Sequence, residues 1–362
     1  MKEPINKSSR KLEGIISITS KGVGYVKTDL EEDPEIDFKH LHTALHGDTV
    51  EIVLHPKGPG RQTAEVLKII KRVKNAFTGV LESENNLTFL KPDDTKMYTD
   101  ILIPEKMLHG AKAGQKVFAE IVSWEDAKKA PEGKVIKILG KPGDNDVEMR
   151  AIAIEKGFDS ELSSKAEEEA KKIKLHGITE KDYEGRKDFR KTLTFTIDPS
   201  DAKDFDDAIS FKELENGDFE IGIHIADVSY YVKVGSELDI EARERGTSVY
   251  LVDRTIPMLP EILSNDLCSL VPNKDRLTMS AVFTIDKNAK VKTEWFGRTI
   301  IYSDKRFTYE EAEISIKKQS APLHKELFIL NTLANKLNKE RFVNGAISLD
   351  QEEVKFVLDK NG

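Results

Sequence analysis

The chain has 362 residues, a formal net charge of −8, 38% hydrophobic and 33% charged residues. That length accommodates two or three domains with cores of their own. No apolar run approaches the ~18 residues that a bilayer crossing needs, and residues 1–11 form a polar, lysine-rich tail without the apolar stretch of a secretory signal. The single cysteine, Cys268, excludes an intrachain disulfide framework and a cysteine-cluster zinc site, so a cytoplasmic protein that contacts no membrane is expected. The acidic balance lowers the expectation of a polyanion partner without removing it, because a basic groove can sit on a chain of net negative charge.

The first part of the chain holds a degenerate repeat. Leu41-His42-Thr43-Ala44-Leu45-His46-Gly47-Asp48-Thr49-Val50 lines up with Leu108-His109-Gly110-Ala111-Lys112-Ala113-Gly114-Gln115-Lys116-Val117. Gly14-Ile15-Ile16 and Gly79-Val80-Leu81 precede the two copies. Ala64-Glu65-Val66 and Gly133-Lys134-Val135 open their exit strands. The period, roughly 65–70 residues, is too long for a solenoid and suits two small domains in tandem. Short alternating runs broken by glycine, such as those around Gly22 and Gly24, predict a small β-barrel in each copy, over residues 12–75 and 76–142.

Lys21-Gly22-Val23-Gly24-Tyr25-Val26 resembles the nucleic-acid-binding strand of cold-shock domains, with Val23 where one aromatic is expected. The resemblance implies an OB-type barrel in which Tyr25 stacks a base and Lys21 neutralises phosphate. The second copy has Phe89 and Tyr98 but no comparable motif. Residues 143–191 read as a charged helical connector. Its run Lys165-Ala166-Glu167-Glu168-Glu169-Ala170-Lys171-Lys172 predicts a solvated helix with i,i+4 charge pairs.

From Thr192 strands and helices mix, which predicts an α/β or α+β domain over 192–362. Asn216-Gly217 between two apolar runs signals a hairpin, and Ser236 and Gly246 bracket a helix. Five aspartates fall within ten residues of Asp198-Pro199-Ser200-Asp201-Ala202-Lys203-Asp204-Phe205-Asp206-Asp207, directly after an alternating strand. Gathering carboxylates raises their pKa values unless a cation is present. Oxygen-rich sets of this kind suit Mg2+ or Mn2+ and phosphoryl transfer. An EF-hand is excluded, because Ala202, Lys203 and Ile209 stand where it needs oxygen, glycine and glutamate.

Thr196-Ile197-Asp198-Pro199 through Asp207-Ala208-Ile209 resembles the signature of the RNB catalytic domain of the ribonuclease II/ribonuclease R family. His224-Ile225-Ala226-Asp227-Val228-Ser229-Tyr230-Tyr231-Val232 is similar to its next block, where a histidine is more usual at position 230. Arg245 to Leu251, Ile256 to Glu261, Leu263 to Leu270 and Arg276 continue the likeness.

The resemblance implies two OB-fold, cold-shock-like barrels followed by an RNB catalytic domain. It implies Mg2+ (or Mn2+) held by Asp198, Asp204 and Asp207, with Asp206 most closely tied to hydrolysis and Asp201 outside the set. Tyr250 corresponds to an aromatic that stacks the terminal nucleotide, and Phe356 to one that clamps the last bases. His224 is expected to be a structural histidine. The implied activity is 3′→5′ hydrolysis of single-stranded RNA to nucleoside 5′-monophosphates by two-metal catalysis, with no obligate protein partner.

Asn361-Gly362 follows an alternating run with no second strand after it, so the catalytic domain is expected to be truncated. The alternative reading is a non-catalytic RNA-binding module made of the barrels and an incomplete catalytic domain.

Overall fold

Alternating apolar residues and regularly placed glycines produce two barrels, and the mixed segment beyond them produces a helix-backed sheet. The computed structural model describes residues 11–159 and 161–349, together with Val354 and Phe356. The chain divides into two units at residues 160 and 161.

In the first unit, β1 (Lys11–Ile18), β2 (Gly24–Lys27), β3 (Glu35–Ile36), β4 (Thr49–Leu54) and β5 (Ala64–Lys71) form a sheet of order β3-β2-β1-β4-β5. A bridge between Glu35 and Thr63 brings its two edges together. β6 (Ala76–Glu84), β7 (Leu87–Pro92), β8 (Ile101–Leu102), β9 (Lys116–Ser123) and β10 (Glu132–Gly140) repeat that order and close into a barrel.

The repeat has a physical cause. Gly47 and Gly114 both have positive φ, and their amides bond Ile16 and Leu81 at equivalent places in the two copies. A β-carbon on Gly14 would lie 2.1 Å from the Lys27 carbonyl oxygen, and one on Gly79 the same distance from that of Lys91. Only glycine allows so close a strand crossing. Buried Ile16, Val26, Ile52 and Val66 fill one barrel, and Phe77, Leu81, Leu90 and Val117 the other. Tyr98 serves both: its hydroxyl donates to the Ala44 carbonyl at 2.8 Å and its ring meets Phe38 edge-on. Burial raises its phenol pKa well above the ordinary value.

Residues 143–191 contain two α-helices, and the charged one is not wholly solvated. α1 (Asn145–Glu155) lies on the second barrel, burying Val147 and Ala151 and pairing Glu155 with Lys74 at 2.5 Å. α2 (Ser164–His176) belongs to the second unit. Its Ala166 and Ala170 are wholly buried, with Ile173 packed beside them. The i, i+4, i+7 spacing of these three small or apolar residues gives the charged helix one dry face, which the reading of a purely solvated helix overlooked.

The second unit is built on a seven-stranded sheet of order β11-β18-β17-β14-β13-β12-β19. In chain order its elements begin with β11 (Lys187–Asp188), β12 (Thr194–Asp198), β13 (Asp207–Glu213), β14 (Phe219–Ala226), α3 (Val228–Tyr231) and α4 (Glu237–Arg245). There follow β15 (Val249–Tyr250) and β16 (Thr255–Ile256), which pair only with each other, then β17 (Asp275–Ile285), β18 (Val291–Tyr302), β19 (Lys305–Thr308), α5 (Tyr309–Lys317) and α6 (His324–Val343). Gly217, at φ +79°, makes the turn between β13 and β14, and the Ser236 hydroxyl caps α4 by accepting from the Asp239 amide.

Phe205, Ala208, Leu238, Leu263 and Leu277 form the core that includes α2 and α4. Phe195, Phe307 and Leu327 pack with α5 and α6 in a separate cluster. Arg186 and Asp227, both buried, pair at 2.7 Å. Among the described residues no helix is long and apolar enough to cross a membrane. The strand expected near Phe356 and the Asn361-Gly362 turn lie outside the described residues, apart from Val354 and Phe356, which are exposed and in no strand.

Candidate active site

Asp198 is the last residue of β12, Asp207 the first of β13, and Asp204 and Asp206 lie in the loop between them. The loop is pinned from three sides. Phe205 is buried, and its amide donates to the Ser269 hydroxyl at 3.0 Å. That hydroxyl in turn donates to the Lys203 carbonyl at 2.9 Å. The Leu270 amide donates to the Phe205 carbonyl at 2.8 Å. Arg306, reaching from β19, donates to the Pro199 carbonyl at 2.5 Å, and its guanidinium lies 5.4 Å from the Phe205 ring centre. Buried Arg276 holds the far side by donating to the Ser269 carbonyl at 2.7 Å.

The loop is therefore fixed through its backbone and its one phenylalanine rather than through its carboxylates. Asp198 is 8% exposed, and its Oδ2 has no hydrogen-bond partner. An unpaired buried oxygen is costly. Burial raises the Asp198 pKa, reinforced by the charges of Asp207 and Asp204 and only partly countered by Thr196 and Arg306. Asp206 reaches solvent, yet partial burial is still the first cause of its raised pKa, followed by Asp204, Asp207 and Asp198. A cation beside this set would relieve the repulsion and give the unpaired oxygen a partner, so the donor set fits a hard divalent ion.

Among the described residues, the three-residue group whose donor atoms lie within 4.8 Å of one another is His40, His55 and Glu65, in the first barrel. Any ion shared by the aspartates would need waters or a substrate oxygen to complete its shell, as Mg2+ ordinarily does.

Tyr250, on the small β15–β16 hairpin, donates its hydroxyl to Asp204 Oδ2 at 3.1 Å, with the side chain 68% exposed. An aromatic face thus stands open beside the acidic loop. Asp201 is exposed at the turn. His224 is fully buried, its two ring nitrogens bonded to Ser280 at 2.7 Å and Ser210 at 2.9 Å, and burial lowers its pKa to about 4. It meets no carboxylate, as expected of a structural histidine. Cys268 is buried and free, and burial first, then Asp206, pushes its thiol up to about 12.

Lys21 is exposed. The Tyr25 hydroxyl donates to Glu35 at 3.3 Å, and the Arg61 guanidinium lies over its ring at 5.2 Å. Glu31, Glu32 and Asp33 share the same hollow. Phe356 is exposed and is not brought to the aspartates by any described contact. Sequence reading passed over Ser269 and Arg306 as the clamps of the loop. Ser269 lies inside the Leu263 to Leu270 block, whereas Arg306, more than a hundred residues beyond Pro199, carries no local signal.

Three family descriptions match the chain: a ribonuclease B OB domain over residues 14–69, a cold shock domain over 89–163 and an RNB domain over 186–362. Ribonuclease R of Thermotoga maritima is 38% identical over 358 residues, spanning 96% of this chain and 50% of that protein. Ribonuclease R of Escherichia coli is 32% identical over 359 residues, spanning 93% of this chain and 42% of that protein. The structure of Mycoplasma genitalium RNase R in complex with ribose-methylated single-stranded RNA superposes with a TM-score of 0.83 at 26% identity, covering 97% of this chain and 56% of that one. The chain spans about half the length of these relatives.

Proposed function

This chain belongs to the RNB family, and on that premise we propose that it carries the metal site of a 3′→5′ exoribonuclease that degrades single-stranded RNA to nucleoside 5′-monophosphates. The observation that carries the reading is the unpaired, buried Asp198 Oδ2 amid Asp204, Asp206 and Asp207, with the exposed Tyr250 ring bonded to the same loop.

Asp198, Asp204 and Asp207 would hold Mg2+ or Mn2+, and Asp206 is the carboxylate on whose charge hydrolysis depends most. The cations would supply Lewis acidity toward the phosphoryl oxygens and lower the pKa of a water. The protein's own part is positional. Ser269, Phe205 and Arg306 keep the aspartates from spreading apart. Tyr250 offers the terminal nucleotide a ring to stack on while its hydroxyl fixes Asp204. Phe356 would clamp the neighbouring bases. In the first barrel, Tyr25 would use the ring face that Arg61 leaves open, with Lys21 toward phosphate. The cytoplasm is the compartment that the reading implies.

The second reading is a non-catalytic RNA-binding module. An assay of this chain on a 3′-labelled single strand with Mg2+ or Mn2+ decides between them. Release of the label as a mononucleotide supports the nuclease; binding without release under both ions supports the module.

A further inference from the structure

The first barrel places four of the chain's eight histidines between positions 40 and 55. Three of them gather around one carboxylate of β5. His40 Nδ1 and His55 Nε2 each lie 3.9 Å from Glu65 Oε2, and His42 Nε2 lies 3.0 Å from Glu65 Oε1. The three donor atoms of His40, His55 and Glu65 fall within 4.8 Å of one another. Their side chains are about one-third exposed, so an ion has a path in.

We propose that His40, His55 and Glu65 form a binding site for a divalent transition metal of the zinc class, with His42 as the residue that orients Glu65. Two imidazole nitrogens and a carboxylate oxygen are the donors that zinc takes in three-ligand sites, with a fourth position left to water or another group. Nitrogen donors select against Mg2+ and Ca2+. In a tetrahedral shell with bonds of ~2.1 Å, neighbouring ligands stand ~3.4 Å apart. The 3.9 Å separations are therefore wider than a filled site by about half an ångström, a closure that side-chain rotation supplies.

The surrounding contacts suit that role. His55 Nδ1 lies 3.2 Å from Thr63 Oγ1; donation from Nδ1–H leaves the Nε2 lone pair toward the site. His42 occupies the other oxygen of Glu65, turning Oε2 to the two imidazoles. The His42 backbone is held at φ 53°, a conformation that few residues other than glycine adopt. The three ligands come from the turn before Leu41, the residue following β4, and β5, so one ion would tie together three segments that no disulfide joins.

The second barrel supplies an internal contrast. The aligned positions hold Met107, Val122 and Lys134, and His109, which also has positive φ, bonds the Val135 carbonyl instead. The backbone that bears the cluster is thus common to both copies, while the ligands belong to one.

The test is a Zn2+ titration of the whole chain against a chromophoric chelator, with excess Mg2+ present to occupy the aspartates, and melting curves recorded in parallel. The expected result is one Zn2+ per chain and a raised melting temperature. His55→Ala and Glu65→Gln should each weaken the affinity by ~100-fold or more, and His42→Ala by about tenfold. Asp204→Asn and Asp206→Asn should change nothing. Co2+ in place of Zn2+ should give a visible spectrum that Glu65→Gln abolishes. His42 is the most exposed of the set, so its variant reports on the site even where another substitution unfolds the barrel. The proposal is overturned by the absence of Zn2+ uptake at micromolar metal. It is equally overturned by uptake that survives Glu65→Gln and disappears in the aspartate variants.

Discussion

Asp48 in the first barrel and Asp198 in the second unit are both carboxylates shut away from solvent, and in both burial is the leading cause of a raised pKa. Their surroundings differ. Asp48 accepts from the Leu45 amide at 2.8 Å and the Val73 amide at 3.1 Å, and Arg72 stands 3.3 Å away. Asp198 keeps one oxygen without a partner and has two further aspartates for neighbours. A buried charge that the fold has fully paired is scaffolding. One that the fold leaves partly unpaired and adds like charge to is suited to a cation.

The largest effect that would break this contrast is chemical. In a chain of full family length, Asp206→Asn should slow single-turnover cleavage about a thousandfold, roughly 4 kcal/mol at the transition state, with RNA affinity nearly unchanged. Cleavage near the wild-type rate would remove Asp206 from the chemistry. Loss of binding in proportion to rate would make the loop a positioning site instead.

Next in size is stability. Asp48→Ala strands two amides and an arginine and should cost ~2–3 kcal/mol in a denaturant titration. Asp198→Asn removes a desolvated, repelled charge and should leave the metal-free protein as stable as before or more so. If both variants lose stability alike, the two sites are the same kind of thing.

Mn2+ sharpens the point. At a hundredfold excess over its dissociation constant it should stabilise the chain by about 2.7 kcal/mol, seen as a raised melting temperature that Asp198→Asn abolishes. Asp198 and Asp206 hold their protons to higher pH when folded than when unfolded. The stability they contribute is therefore full below the ordinary carboxylate range and is lost as pH rises through their raised values. The Mn2+ increment should grow across the same window, as protons leave and the ion replaces them. A flat increment would mean that the ion sits elsewhere. Smallest of all, Tyr250→Phe should change stability by less than about 0.5 kcal/mol, because the side chain is exposed, and should act only on RNA handling.

Much of the scaffold could be read from the sequence because its causes are local. The repeated Leu-His pair and the glycines after it mark two turns with the same backbone, and Asn216-Gly217 and Ser236 announce a hairpin and a helix start. The aspartate loop was also legible, since its residues are consecutive. What stayed hidden depends on distance along the chain. The Tyr250–Asp204 contact joins residues on separate elements, and the histidine–glutamate cluster draws on three segments.

Strand β14 shows a further limit. Alternation there puts His224 opposite Ile223 and Ile225, and the isoleucines would be expected inside. They are about half exposed, whereas His224 is buried in a seam of Ser210, Ser280, Thr278 and Thr299. Which face of a strand is dry is settled by what packs on it, and that is not written in the strand.

Gly14 and Gly79 have a consequence for how this chain can vary. At each position the obstacle to a side chain is a carbonyl oxygen of the facing strand, which cannot swing aside as a neighbouring side chain would. No compensating change at a second position can restore the space without redrawing the hairpin. In a library with every residue randomised and folded members recovered, these two columns should read glycine alone while the positions around them drift. The barrels would then differ freely in their chemistry, one holding histidines where the other holds methionine, valine and lysine, with the crossing of their strands as the part of their common backbone that selection cannot erase.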